Sequence, residues 1–162
     1  MLIGVDWGGS KIEVIALAEV GTELARTRVP TPWSDYAGCL ELIASMVTQV
    51  EESVGRTGTV GIGLPGSLDP RTRIVKGASS TWLNGRAVED DLRRVLDRDV
   101  RTSNDADCFA VSEATDGAGV GHRVVFGVIL GTGAGAGIAV EPTTVPITAR
   151  GSGDTTCCRG PA

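Results

Sequence analysis

The sequence predicts an α/β domain built on a mixed sheet, because its apolar patterns switch repeatedly between strand and helix periods. The predicted order is three strands, a helix, a strand, a helix, a short strand and a helix, followed by a further strand–turn–strand unit. Glycine supplies the second observation: 23 of the 162 residues are glycine, about twice the usual share of roughly 7%. This excess predicts tight turns and close approach of the backbone to a ligand.

Composition excludes several classes of protein. Hydrophobic residues (41%) and charged residues (22%) occur in the balance of a soluble globular chain. The net charge is −5 and lysine and arginine are not clustered, so we expect no nucleic-acid partner. The sequence also has no apolar run of about 20 residues and no signal peptide, which predicts a cytoplasmic protein with no membrane partner. The cysteines fit neither a metal site nor a disulfide framework and are interpreted as reduced thiols: Cys39, Cys108, Cys157 and Cys158.

The first three strands are predicted from short apolar runs and from alternation. Leu2 to Val5 is apolar, and polar and apolar residues alternate from Lys11 to Leu17. The glycine-rich segment between them predicts a hairpin turn. A third strand is expected over 22–29, where Pro30 ends it.

The clearest helix follows. Apolar residues at steps of three and four form one stripe: Leu40, Ile43, Ala44, Val47, Val50 and Val54. Ser34 or Asp35 can cap its start, and Gly55 lies just past its end. The remaining patterns predict strands at 59–64, 100–102, 124–130 and 138–140, helices at 88–96 and 105–114, and turns at 65–66 and 84–85.

These elements divide the chain into three parts. Residues 1–119 form one complete lobe, and 120–140 form the opening hairpin of a second lobe. Residues 141–162 contain three prolines, no aromatic residue and no periodicity, and we interpret them as a disordered or frameshifted tail. An apolar hairpin next to such a tail predicts low solubility.

The first glycine turn, Asp6-x-Gly8-Gly9-Ser10-Lys11, has the residues of a phosphate site. Backbone N–H groups of a turn without Cβ bulk can contact phosphate oxygens, while Ser10 adds a donor and Lys11 a cation. Asp6, at the strand end, could bind Mg²⁺. An ordinary hairpin turn is an equally good interpretation of this motif alone.

The second turn, Gly131-Thr132-Gly133, follows an apolar strand and imitates the fingerprint of dinucleotide-binding proteins. That fingerprint requires a helix next, whereas here a short strand runs into a proline. We therefore predict a second phosphate-binding hairpin. Two such hairpins, one opening each lobe, can bind the phosphates of a nucleotide from opposite sides.

Several segments, taken in order, carry a resemblance to a known family: Val5–Lys11, Gly61–Gly66, Thr81–Gly85, Ser103–Cys108 and Ile129–Gly135. From Met1 to about Val140 the sequence resembles the ROK family of sugar kinases, which has the actin-like/hexokinase-like (ribonuclease H-like) ATPase fold. The segment Thr81–Gly85 is most similar to bacterial fructokinases of the manno(fructo)kinase type. The resemblance implies that most of the second lobe is missing from this chain.

The resemblance implies ATP- and Mg²⁺-dependent phosphorylation of a hexose, most specifically of fructose to fructose 6-phosphate. Asp105 matches the family's catalytic base, although an aspartate at a helix start is more often only a cap. Asn104 beside it is expected to bind sugar hydroxyls, and Pro65 and Gly66 to line the sugar cleft. Trp82 is either a core residue or a wall of the sugar site.

The sequence also departs from the family's pattern. Trp7 replaces an aliphatic residue, Ser10 replaces a threonine, and Ser79 replaces an asparagine that contributes to the sugar site in related fructokinases. The family's Glu-x-x-His sugar motif, its Cys/His zinc site and the adenine pocket are absent from this sequence. The single histidine, His122, lies in a predicted surface loop and cannot replace the missing one.

These departures support a second interpretation, a non-catalytic fragment that binds sugar weakly at most. The family's homodimer is not expected for such a fragment. The segment Pro146–Ala149 can be encoded so that a one-base shift gives His-His-Gly, residues typical of these kinases after the hairpin. A frameshift within a longer gene would therefore explain the tail.

Overall fold

The computed structural model describes residues 1–130, 134–141 and 144–146. Its strands are β1 (Leu2–Trp7), β2 (Lys11–Leu17), β3 (Glu23–Pro30), β4 (Thr59–Leu64), β5 (Ser67–Leu68), β6 (Val75–Lys76), β7 (Val100–Asn104), β8 (Val124–Leu130), β9 (Ala134–Val140) and β10 (Thr144–Pro146). Its helices are α1 (Tyr36–Val54), α2 (Val88–Leu96) and α3 (Asp105–Thr115), with a 3₁₀ turn at Thr81–Leu83. The predicted α/β fold and the order of its main elements are confirmed.

The main sheet is mixed and has the strand order β3-β2-β1-β4-β7. Strands β1, β2 and β3 form an antiparallel meander, whereas β1, β4 and β7 run parallel. In the parallel part Asp6 lies opposite Gly63, and Leu64 lies opposite Asn104. Because the strands are in parallel register, their carboxyl ends bring three loops to one edge of the sheet.

Helix α1 packs against β2 and β3 and buries the apolar stripe predicted for it. Of the two candidate caps, Asp35 is the one used: its side chain accepts a hydrogen bond from the Gly38 N–H at 2.9 Å. Gly55 ends the helix in the left-handed conformation, with φ of 71°. Trp7, which stands where an aliphatic residue is usual in the resembling family, is a core side chain. It is buried and stacks on Tyr36 with ring centroids 6.2 Å apart.

Three short strands were not predicted. Strands β5, β6 and β10 have two or three residues each, too few to show a period of two. Strand β10 lies in the segment expected to be a disordered tail, and it pairs with β9 through Thr144 and Val140. Residues 142–143 and 147–162 of that tail lie outside the described residues. The predicted strand over 138–140 is longer than expected and begins at Ala134.

Glycines allow the β8–β9 hairpin to approach α3 closely. Gly127 and Gly137 are cross-strand partners, and both face the helix. A Cβ atom on Gly137 would lie 2.6 Å from the Ala106 carbonyl carbon and 2.8 Å from Asp107 Cα. Part of the glycine excess therefore serves close packing of a hairpin on a helix. The sequence had predicted only turns and ligand contacts for these glycines.

We expect Gly137→Ala to destabilise the protein by about 1–3 kcal/mol, because the backbone of α3 must move to accept the methyl group. The matched control is Gly135→Ala on the same strand, whose Cβ would make an ordinary 3.4 Å contact with Ala106 Cβ. The control should be neutral or slightly stabilising. Urea unfolding of both variants measures the difference, and equal stabilities would contradict the packing role.

The other face of β8 is apolar and exposed. Its outward side chains are Val124, Phe126, Val128 and Leu130, and Leu130 is 82% exposed. No described element covers this face, and such an exposed apolar surface is the physical basis of the low solubility that we predict. His122, in the loop before β8, is exposed as predicted. Within the described ranges, no helix combines the length and apolar character needed to cross a membrane.

Candidate active site

A cleft of about 820 Å³ opens at the carboxyl ends of β1, β4 and β7, facing the β8–β9 hairpin. It brings together most of the residues predicted for the site: Gly8, Gly9, Ser10, Pro65, Gly66, Ser79, Asn104 and Asp105. Asp6 and Lys11 do not line this cleft. The predicted second phosphate turn, Gly131, Thr132 and Gly133, lies outside the described residues.

Asn104 holds two walls of the cleft together. As the N-cap of α3, its Oδ1 accepts hydrogen bonds from the backbone N–H groups of Ala106 (2.9 Å) and Asp107 (3.3 Å). Its Nδ2 donates to the Gly66 carbonyl at 2.7 Å. The hydrogen-bonding capacity of the Asn104 amide is thus largely used by the fold, and this fixes the side chain at the cleft.

Asp105 is the first residue of α3 and is fixed at the floor of the cleft. Its Oδ1 accepts the Ala106 N–H at 2.8 Å, so the carboxylate cannot rotate freely. Because Asn104 is the N-cap, capping does not account for Asp105. Burial raises the pKa of Asp105 above its ordinary value, while hydrogen bonds from the backbone and from Asn104 act in the opposite direction. The result is a rigid carboxylate that is a stronger base than a solvated aspartate.

Asp6 lies close enough to Asp105 for their charges to interact. The Asp6 side chain is accessible to solvent, yet desolvation by the surrounding protein raises its pKa. The negative charge of Asp105 raises the pKa of Asp6 further. The positive charge of Lys11 lowers the pKa of Asp6. However, the Lys11 side chain is exposed, and its Nζ lies 3.8 Å from Glu13 Oε2. Two carboxylates that repel each other favour a cation near them.

The donor set fits a magnesium ion only in part. Among the described residues, no group of three His, Cys, Asp or Glu side chains could hold a metal ion. Mg²⁺ commonly binds one or two carboxylates and takes its other ligands from water and substrate phosphates. Asp6 therefore fits as one ligand of an ion that a bound nucleotide would share.

The first glycine turn is held by internal hydrogen bonds. The Gly8 N–H donates to the Lys11 carbonyl at 2.9 Å, so this N–H is not available to a phosphate as the sequence analysis expected. Thr31 fixes the turn from outside, because its Oγ1 donates to the Gly8 carbonyl at 2.8 Å. The next two residues of the turn, Gly9 and Ser10, line the cleft. A Cβ on Gly9 would lie 3.1 Å from Ser80 Oγ, a tight contact that Ser80 would have to relieve by moving a few tenths of an ångström.

A buried carboxylate anchors the loop that contributes another cleft wall. Glu89 Oε2, on α2, accepts hydrogen bonds from Arg73 Nη2 (2.6 Å) and Thr102 Oγ1 (2.5 Å). Burial alone would raise the pKa of Glu89, but these partners lower it overall, so the group stays ionised. The contact ties the segment after β5 to β7, the strand that carries Asn104.

Sequence reasoning missed several lining residues. They are Thr31, Trp33, Ser67, Gly77, Ser80 and Thr81; Ser67 lies in the two-residue strand β5, and the others lie in loops or turns. Asp105 is the one ionisable side chain among the described lining residues; the others are glycines, hydroxyl, amide and small apolar residues, and two tryptophans. Such a lining suits a neutral ligand rich in hydroxyl groups, with a single carboxylate placed to act on it.

Comparison with known proteins agrees with this chemistry. The family model described as "ROK family" matches residues 2–146. The chain is 39% identical over 141 residues to an N-acetyl-D-glucosamine kinase of Haemophilus influenzae (strain 86-028NP), covering 87% of this chain and 46% of that protein. It is 40% identical over 144 residues to the N-acetylgalactosamine kinase AgaK of Shewanella sp. (strain ANA-3), with the same coverage.

Solved structures give the same result. A ROK family glucokinase from Streptomyces griseus, in complex with glucose and AMPPNP, superposes with a TM-score of 0.79 at 33% identity, covering 87% of this chain and 45% of that chain. A ROK hexokinase from Thermus thermophilus superposes with a TM-score of 0.78 at 26% identity, covering 95% and 51%. The chain spans about half the length of the curated relatives it matches. By its sequence match and its fold, the chain belongs to the ROK family.

Proposed function

We propose that this lobe forms the sugar half of an ATP-dependent hexose kinase. The observation that carries the proposal is Asp105: a rigid, partly buried carboxylate at a helix start, in a cleft otherwise lined by neutral groups. Family membership and the kinase names of the relatives support the same reaction.

In the proposed reaction Asp105 accepts the proton of a hexose hydroxyl as that oxygen attacks the γ-phosphorus of ATP, the bond from this phosphorus to the β,γ-bridging oxygen breaks, and ADP leaves. Asn104, Ser79 and the Pro65-Gly66 turn position the sugar. Gly9 and Ser10 donate backbone N–H groups to phosphate oxygens, and we retain 131–133 as the second phosphate turn. Mg²⁺, held by Asp6 and the nucleotide, would neutralise phosphate charge. The chain's own contribution is therefore placement of the hydroxyl and removal of its proton.

Fructose is the substrate that we propose first. The segment Thr81–Gly85 supports it, because this segment most resembles fructokinases and its first two residues, Thr81 and Trp82, line the cleft. The curated relatives named above are N-acetylhexosamine kinases and one structural relative is a glucokinase, so these sugars form the comparison set.

The test measures ADP release by this chain with Mg·ATP and fructose, glucose, N-acetylglucosamine or N-acetylgalactosamine. We expect turnover with at least one hexose and the highest kcat/KM with fructose. A higher value for an N-acetylhexosamine would reassign the substrate and keep the reaction. Absence of turnover with every sugar would show that the chain alone is not an enzyme.

A second candidate is a hexose-binding lobe without activity. It is favoured by the half-length match and by the exposed apolar face of β8. Calorimetry with fructose and with Mg·ATP separates the two: tight nucleotide binding supports the kinase, and weak sugar binding alone supports the fragment. If neither ligand binds, both candidates fail.

A further inference from the structure

Two tryptophans form an aromatic pair on the cleft wall. Trp33 and Trp82 both line the cleft, and their rings meet edge to face with centroids 5.5 Å apart and planes at 66°. Trp33 is 76% exposed, so it is a rim residue and not part of the core. A large indole exposed at the mouth of a polar cleft is a feature of ligand sites more than of stability.

The backbone holds Trp33 at this rim. Pro32 precedes it, and Ser34 after it has a left-handed φ of 61°, an unusual and strained conformation for a residue other than glycine. The backbone N–H of Thr31 donates to the Ser10 carbonyl at 3.1 Å, next to the glycine turn. Trp33 is therefore displayed on a short turn, closed by a hydrogen bond from the Asp35 N–H to the Pro32 carbonyl (3.3 Å), that leads into α1.

Trp82 is fixed as firmly. It lies in the 3₁₀ turn beside Leu83, which is fully buried. Asn84 closes the loop behind it: its Oδ1 accepts from the Ala78 N–H at 2.8 Å, and its Nδ2 donates to the Ala78 carbonyl at 3.2 Å. The backbone that carries each ring is thus fixed by hydrogen bonds, so contact with a ligand would require little additional ordering of these segments.

We infer that the Trp33–Trp82 pair is the apolar wall of the sugar site, stacking on the C–H face of a hexose whose hydroxyls face Asn104 and Asp105. This inference rests on the proposed function and names a specificity contact within it. A hexose ring presents axial C–H groups as well as hydroxyls, and the electron-rich faces of aromatic rings attract such groups. The pair supplies the only aromatic surface among the described lining residues.

Tryptophan fluorescence provides a direct readout, because the chain has three tryptophans and Trp7 is only 1% exposed. Acrylamide should quench Trp33 in the free chain, and saturating hexose should protect it. In calorimetry, Trp33→Ala should weaken sugar binding about three- to tenfold. Trp33→Phe should recover part of the loss. In turnover, KM should rise and kcat should change little.

Two further variants complete the test. Trp82→Phe keeps an aromatic ring and should retain most of the affinity, whereas Val20→Ala, an exposed apolar residue outside the cleft, should leave affinity unchanged. Asp105→Asn should still show protection of Trp33 by sugar. One outcome would overturn the proposed aromatic wall and leave the kinase proposal intact. In that outcome a hexose binds or is phosphorylated, Trp33 stays unprotected from acrylamide, and Trp33→Ala binds the sugar as well as the unmodified chain. If calorimetry detects no hexose binding, both are overturned.

Discussion

Replacement of Asp105 by asparagine is expected to lower the rate of phosphoryl transfer to a hexose by about 10²- to 10⁴-fold. Asparagine has nearly the same shape and keeps the acceptor oxygen that binds the Ala106 N–H, so the start of α3 should remain intact. What is lost is the ability to accept the hydroxyl proton. Sugar affinity should therefore change little, and the loss should be found in kcat.

The pH dependence follows from the same carboxylate. The base must be ionised, and burial raises the pKa of Asp105, so the rate should fall as the pH drops through this raised pKa. The acid limb should therefore begin at a higher pH than for a solvated aspartate. ADP release with the best hexose, measured across pH, tests this expectation.

Asp116→Asn is the matched control, because Asp116 is an exposed carboxylate at the other end of α3. It should retain the full rate and the same pH profile. An Asp105→Asn variant that keeps more than about a tenth of the rate would contradict the assignment of Asp105 as the base.

The main elements could be predicted because each carries a long, regular signal. Helix α1, of 19 residues, has one apolar stripe and a cap at Asp35, and β4 and β8 were predicted with the bounds observed. The site residues Gly66, Asn104 and Asp105 were predicted from the resemblance to a family and not from local periodicity, and the parallel pairing of β4 with β7 brings them to one edge of the sheet. In contrast, β5, β6 and β10 depend on tertiary pairing and leave no local pattern.

The missed cleft residues have a different physical cause. Thr31 and Ser80 reach the cleft through contacts with the distant glycine turn, and no local period records such a contact. The glycines of β8 and β9 were interpreted through ligand approach, although Gly127 and Gly137 face the alanines of α3. Small residues on both the hairpin and α3 were the available signal for close packing. That signal can be interpreted only when it is known that these two elements are in contact.

Asp107 shows the same limit of the sequence. In the motif it resembles any polar residue of a helix start, yet its side chain is only 1% exposed. Its Oδ1 has no hydrogen-bond partner among the described residues. Burial, together with the negative charge of Asp105, raises the pKa of Asp107 to about 6. An ionised carboxylate in this position is therefore destabilising.

The sign and size of this effect follow from linkage. In the unfolded chain an aspartate has a pKa of about 3.9, so the folded protein binds the proton more tightly. Stability should rise as the pH falls from above about 6 to below about 4. A pKa of about 6 in the folded chain corresponds to about 3 kcal/mol lost at neutral pH, where Asp107 is ionised in both states.

We therefore expect Asp107→Asn to stabilise the protein by up to about 3 kcal/mol at pH 7.5, with no gain below about pH 4. The amide keeps the shape of the carboxyl group but carries no charge into the core. Urea unfolding at several pH values measures the effect, and Asp116→Asn, exposed on the same helix, should change stability by less than about 0.5 kcal/mol. A destabilised Asp107→Asn at pH 7.5 would mean that the carboxylate makes a favourable contact in the folded chain. In that case Asp107 would contribute to the order of the Asp105 region instead of weakening it.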